Sequence, residues 1–312
     1  MFSSLQSRSG GPYASTTASL GELPSITPDI PVSAVFIAIF IAFAATNMTI
    51  LQVNLRRNHK FVLSGAMFGF SMARITTLVL RIVWASRQHN VRLAIAAGIF
   101  VNAGILVIYI VNFILSQRIL RAKQPHVGWN PIYRVLCKVL YFGIFAALVM
   151  VIAAMVVSVY TLNPHTKTIC RDIQLAALTY FLVFSCLPFL HVAVTFWLPR
   201  SQDEETFGEG SMGAKTIIVL LSTGLCVFNA GFKAGVNWSP LRPITSPGWF
   251  DSKASFYVFI FVFEVLILCL LTFSRIDKRF FVPNGCKGPG DYTQLREKSS
   301  KADGDDSGSQ EA

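Results

Sequence analysis

The sequence predicts an all-α fold: a polytopic membrane protein built as a seven-transmembrane-helix bundle, with its N-terminus outside and its C-terminus cytoplasmic. Three observations predict it. Only 14% of the 312 residues are charged and the mean hydropathy is +0.54, whereas soluble domains carry about 25% charge. Seven apolar runs are each long enough to cross a hydrocarbon core that needs ~20 residues of helix. The basic residues between the runs are distributed unequally on the two sides. A soluble chain of this composition would leave too much apolar surface in water.

The first span is expected at Pro31–Val53, the second at Phe61–Ala85 and the third at Leu93–Leu115. The fourth is expected at Val135–Leu162, the fifth at Leu175–Leu198, the sixth at Thr216–Ala234 and the seventh at Ala254–Phe273. None shows the two-residue alternation of a membrane barrel. Backbone groups in lipid must pair internally, so these runs are read as helices. Residues 1–30, rich in Ser, Thr, Gly and Pro, and residues 274–312, basic at first and then mixed in Gly, Ser, Asp and Lys, are read as polar, disordered tails flanking a membrane domain at 31–273. Residues 1–30 contain no apolar stretch of signal-peptide type, so the first span is expected to act as the targeting element.

Orientation follows from the basic residues. Arg56, Arg57, Lys60, Arg118, Arg121, Lys123, Arg134, Arg200, Lys215, Arg275, Lys278, Arg279 and Lys287 share one side. Arg8, Arg87, Arg92, Lys167, Arg171, Arg242 and Lys253 share the other. The excess places the first group in the cytoplasm. Trp84, Trp129, Trp197, Trp238 and Trp249 all fall at or just beyond expected span ends, as an interfacial aromatic belt requires. The fifth connection, with Asp203-Glu204-Glu205 and several glycines, reads as a flexible loop. The sixth, with Pro240, Pro243 and Pro247, reads as an ordered outer loop.

Ionisable residues at bilayer depth are costly, so they are the first candidates for a site. Ser71, Arg74, Thr77 and Arg81 recur every three or four residues and share one face of the second helix. Glu264, near the middle of the seventh span, is the sole acidic residue inside the expected spans. Its depth matches that of Arg74, and an Arg74–Glu264 ion pair is expected, either as a packing bridge or as a substrate- or proton-linked group. Asn47, Asn102, Asn112 and Asn229 read as interhelical hydrogen-bonding residues or ligand contacts. Lys233 and Lys138 are expected to snorkel to the interface. Pro188 is expected to kink the fifth helix, and His191 to be satisfied by packing.

The sequence carries no motif for covalent chemistry. Its five histidines show no HExxH spacing and its six cysteines no CxxC. No glycine loop for phosphate and no GxSxG elbow is present. No metal or cofactor is expected, nucleic-acid binding is disfavoured because the charge sits in short loops, and the chain is read as a non-enzyme. The Asn237-Trp238-Ser239 sequon falls at a span end before Pro240.

The runs Met67-Phe68-Gly69-Phe70-Ser71-Met72-Ala73-Arg74, Leu80-Arg81-Ile82-Val83-Trp84-Ala85 and Ile99-Phe100-Val101-Asn102-Ala103-Gly104 are distinctive. So are Gln117-Arg118-Ile119-Leu120-Arg121-Ala122, Pro125-His126 and Gly128-Trp129. Together they resemble an uncharacterised fungal family of multi-pass membrane proteins, best over about residues 65–131. The resemblance implies a seven-helix fungal membrane protein and supplies no catalytic residues. A more distant similarity, in span count and general character, is to the fungal lipid-translocating exporters. Two functions are therefore expected: translocation of an anionic lipid or small amphiphile along a cleft lined by helix two, or sensing by a non-enzymatic receptor. The lipid bilayer is the expected partner. The composition distinguishes neither plasma membrane from endomembrane nor any cytoplasmic protein partner.

Overall fold

The computed structural model describes residues 11–293 except 14, 16, 58, 60, 284 and 287. Arg8, Lys60, Lys287 and the outer parts of both expected tails lie outside the described residues.

Seven helices are long and apolar enough to span a membrane, and the chain is an integral, multi-pass membrane protein. They are α1 (Ile26–Arg56), α2 (Val62–Ser86), α3 (Val91–Lys123), α4 (Pro131–Tyr160), α5 (Pro164–Trp197), α6 (Met212–Trp238) and α7 (Lys253–Phe273). Most begin with local chemistry the hydropathy pattern does not read. The side chains of Asn90, Asn130 and Asn163 accept hydrogen bonds from the first free N–H groups of α3, α4 and α5. Pro131 and Pro164 occupy the first turn, where a missing N–H costs nothing. Ser211 and Ser252 cap α6 and α7 in the same way. These caps let α5 start eleven residues before Leu175, carrying Lys167, Arg171 and Asp172 beyond its apolar length.

The second half of α3 lies at the centre of the bundle, packed on α2, α5 and α6. Its Ile108, Val111, Phe113, Leu115 and Ile119 are fully buried. The other helices neighbour one another in chain order, and α7 returns to α1. The outward face of α4, with Ile132, Phe142 and Phe145 exposed, is apolar because hydrocarbon covers it.

The described parts of the flanks are more ordered than their composition predicts. The N–H of Tyr13 donates to Val159 O, that of Ala18 to Arg242 O and that of Gly21 to Asp251 O, each at 2.8 Å. The segment therefore crosses the amino-terminal face of the bundle, and α1 begins within the expected tail. Gly21 is required here: its φ is +86° and a Cβ would lie 2.7 Å from the Phe256 ring. On the opposite face, Ile276, Phe280 and Tyr292 are buried. The fifth connection is likewise ordered, with Glu205 and Phe207 buried. Backbone and carboxylate hydrogen bonds order these polar segments, and composition does not register them.

Candidate functional site

The polar face of α2 is wholly inside the protein: Ser71, Arg74, Thr77 and Arg81 are all buried. The structure divides the stripe in two. Ser71 and Thr77 donate back to the carbonyls of Met67 and Ala73 in their own helix, whereas Arg74 and Arg81 each organise a separate charged cluster.

The expected pair between α2 and α7 is present. Glu264 Oε1 lies 2.5 Å from Arg74 Nη2, and Oε2 lies 2.5 Å from Nε. Both side chains are fully enclosed, and the guanidinium sits 5.3 Å from the Phe70 ring centre and 5.9 Å from that of Phe261. Removing two charges from water costs several kcal/mol per ion, which the pairing offsets.

Arg74 also reaches into α3. That helix is loosened: Gly104 and Ile105 keep right-handed helical dihedrals, but the regular hydrogen-bond ladder lapses between Ala103 and Leu106. The lapse leaves Val101 O without its helical donor at bilayer depth, while Phe100 O still accepts the N–H of Gly104 at 3.2 Å. Arg74 Nη1 donates to Phe100 O at 3.0 Å and to Val101 O at 3.2 Å. Lys233, from α6, donates to the same Val101 oxygen at 3.1 Å. The expectation that Lys233 snorkels to the interface is thereby corrected. It is 5% exposed, and the free carbonyl draws its ammonium inward. Among the described residues no carboxylate lies within ion-pair distance of Lys233.

A second irregularity lies in α7. α7 is wound as a π-helix over Tyr257–Val262, immediately before Glu264. Such wide turns leave carbonyls poorly paired and gather at functional positions. Asn229 of α6 donates to this turn, with Nδ2 2.9 Å from Phe259 O. Asn102 is not part of this arrangement, since its amide donates to Gly98 O in its own helix.

The Arg81 cluster lies two turns away. Arg81 Nη2 is 2.8 Å from Asp29 Oδ1 and donates to Gly21 O at 2.6 Å. Lys253 Nζ is 2.8 Å from Asp29 Oδ2. Tyr257 donates to Asp29 Oδ1 at 2.8 Å and shares a 2.9 Å hydrogen bond with Ser33. Asp29 thus ties α1, α2 and α7 together, and its position inside α1 corrects the view that Glu264 is the sole acidic residue within a span. Asp172, inside α5, is another. An N-terminal boundary drawn at Pro31 hid Asp29. A Pro-flanked Asp just before an apolar run, read as a first-turn acid, is the signal that finds it.

His191 is satisfied as expected: Ser116 Oγ is 2.8 Å from Nδ1 and Tyr133 OH is 3.2 Å from Nε2. α5 continues as helix through Pro188. Two cavities lie at the bundle ends. One, of about 450 Å³, is lined by Glu204, Phe207, Gly208, Gly210 and Lys215. The other, of about 790 Å³, is lined by Ile26 and residues 85–90. Neither touches the Arg74 or Arg81 cluster.

No curated protein and no solved structure matches the chain significantly. The stretch of best resemblance in the sequence, 65–131, overlaps the matching family model at 125–131 alone, and Arg74, Arg81, Lys233 and Glu264 all lie outside that model. Over residues 125–212, which cover α4, α5 and the fifth connection, the chain matches the family described as "Protein of unknown function (DUF3112)".

Proposed function

We propose that the protein moves an anionic lipid or small amphiphile across the bilayer, by rearrangement of helices around the Arg74–Glu264 junction and without covalent chemistry. The observation that carries this reading is the lapse in the α3 ladder at bilayer depth, met by cations from α2 and α6. Discontinuous helices beside buried charge are how membrane translocators build a site. Two cationic side chains and one carboxylate meet there, so the junction favours an added anion. Arginine's planar fork suits a phosphate or carboxylate. Exchange of Glu264 for such an anion on Arg74 is the step proposed. The non-enzymatic reading is supported by the Ser116–His191 pair, whose third member is Tyr133 rather than a carboxylate.

A receptor or sensor is the second reading, favoured by the ordered segments that cover both ends of the bundle. The basic-residue excess assigns the carboxyl-terminal face to the cytoplasm. An impermeant maleimide applied to intact cells is then expected to leave Cys286 unlabelled.

The test is transbilayer movement of a fluorescent anionic phospholipid in vesicles containing the purified full chain. Wild type is expected to accelerate it, and Arg74→Lys and Glu264→Gln to slow it by about tenfold or more while still running as folded protein on size exclusion. Equal movement with and without protein overturns the reading.

A further inference from the structure

The chain beyond α7 does not depart from the bundle. Arg275 adopts the left-handed conformation, φ +50°, and turns the backbone beneath the carboxyl-terminal face. The helical turn Ile276–Arg279 then passes under α1, where Asn54 Nδ2 is 3.4 Å from Asp277 Oδ2. The Phe281 ring lies 4.4 Å from that of His59 in the α1–α2 connection, tilted by 31°. Arg118, at the inner end of α3, donates to the carbonyl of Phe280. Lys278 O accepts the N–H of Glu209 at 3.1 Å. The Tyr292 ring lies 5.8 Å from both Trp129 and Phe207. The segment therefore crosses the face from α7 to the connection between α3 and α4.

At its far end one carboxylate binds two backbone N–H groups. The two carboxylate oxygens of Glu205 accept the backbone N–H groups of Gly290 and Tyr292, each at 2.8 Å. Glu205 is itself anchored, its N–H donating to Ala122 O at 2.9 Å. Three apolar side chains of the segment, Ile276, Phe280 and Tyr292, are buried, and two of them lie near α7. The distal half is thus held by the carboxylate, by the Tyr292 ring with its side-chain hydrogen bond to Arg121, and by the partial packing of Val282 and Cys286. Beneath it, Arg118 lies over the Phe61 ring at 5.4 Å and Arg121 over the Trp129 ring at 5.0 Å.

We propose that the described residues between 276 and 292 form a detachable cover over this face of the bundle, with Glu205 as its latch. Detachment bares the arginine–aromatic pairs at the end of α3, the helix that carries the central lapse. The cover is independent of what the protein moves or senses.

The cover contains its own reporter, Cys286, which is half-buried and donates to Pro283 O at 3.2 Å. The experiment is maleimide labelling of the full chain in lipid nanodiscs, read residue by residue by peptide mass spectrometry. Two variants are compared with wild type, Glu205→Ala and Tyr292→Ala. The expected result is labelling of Cys286 faster by about tenfold or more in both, with Cys137 and Cys226 as slow as in wild type. Glu205→Gln is expected to fall between, since it keeps one acceptor oxygen. Unchanged Cys286 labelling in Glu205→Ala and Tyr292→Ala overturns the proposal. So does a rise shared by Cys137 and Cys226, because Glu205 then holds the whole bundle and not a cover.

Discussion

Gly104 presents bare backbone to the guanidinium of Arg74: a Cβ built on it would lie 3.0 Å from both Cζ and Nη1. Arg74 has no room to yield, because Glu264 and two carbonyls fix it. Gly104→Ala is therefore expected to destabilise despite the better helix propensity of alanine, and Gly104→Val to do so more, by about 1–3 kcal/mol. Gly69, with nothing within 4 Å of its Cβ position, is the control: Gly69→Ala is expected to raise or preserve the melting temperature of the detergent-solubilised protein.

Charge deletion at the central pair separates burial from attraction. Arg74→Met leaves the Glu264 carboxylate enclosed without its cation and is expected to cost about 3–5 kcal/mol. The double variant Arg74→Met/Glu264→Met removes both charges and is expected to recover most of that loss. The exchange Arg74→Glu/Glu264→Arg tests the same coupling from the other side, through folded yield and thermal midpoint. If the double variants melt no higher than the single ones, the pair is not coupled.

At the amino-terminal end, Asp29 is the hub. Asp29→Asn is expected to release Arg81 and Lys253 together, and with them the segment crossing that face. Amide exchange over residues 18–25 is expected to accelerate. Tyr257→Phe removes one hydrogen bond to Asp29 and is expected to cost about 1 kcal/mol, a smaller effect on the same amides. Equal exchange in Asp29→Asn and wild type would contradict the role given to this carboxylate.

The link between the end of α3 and the fifth connection carries a pH dependence. The hydrogen bond from Lys123 holds the Glu204 carboxyl below its ordinary value, with Arg200 adding to the effect. A carboxylate lowered in the folded state contributes stability above its unfolded pKa, and this is lost as pH falls through the folded value. The link is expected to hold at neutral pH and to loosen below about pH 4. A spin label at position 201 is expected to gain mobility over that range in wild type. In Lys123→Met it is expected to be mobile throughout.

Much of the architecture was legible because one solvent change governs it. Each run that can cross hydrocarbon does so as helix, and the span order follows from composition alone. Arg74, Glu264 and Arg81 were legible for the same reason, since intramembrane charge is too costly to be incidental. Asp29 was missed and Lys233 was placed at the interface because a hydropathy boundary and a snorkelling rule treat residues near span ends as interfacial. Gly104 was visible as a residue, but not as a lapse in the α3 ladder: a regular apolar helix and a loosened one have the same hydropathy. Ser71 and Thr77 share the face of Arg74 and Arg81 and Asn102 lies within a span, and nothing in a periodicity distinguishes a hydroxyl or amide bonded to its own helix from one that reaches a neighbour.

The amino-acid sequence by itself determined that this chain lives in a bilayer, that it crosses seven times, and that α2 must turn its charged face inward. Those outcomes depend on transfer free energies, which each segment carries alone. The tertiary structure decided which carboxylate neutralises which arginine, which carbonyls the loosened α3 gives to Arg74 and Lys233, and where the polar flanks lie across the bundle ends. Those are matters of angstroms between residues up to 228 positions apart, and hydrogen bonds of that kind exist only once the helices have packed.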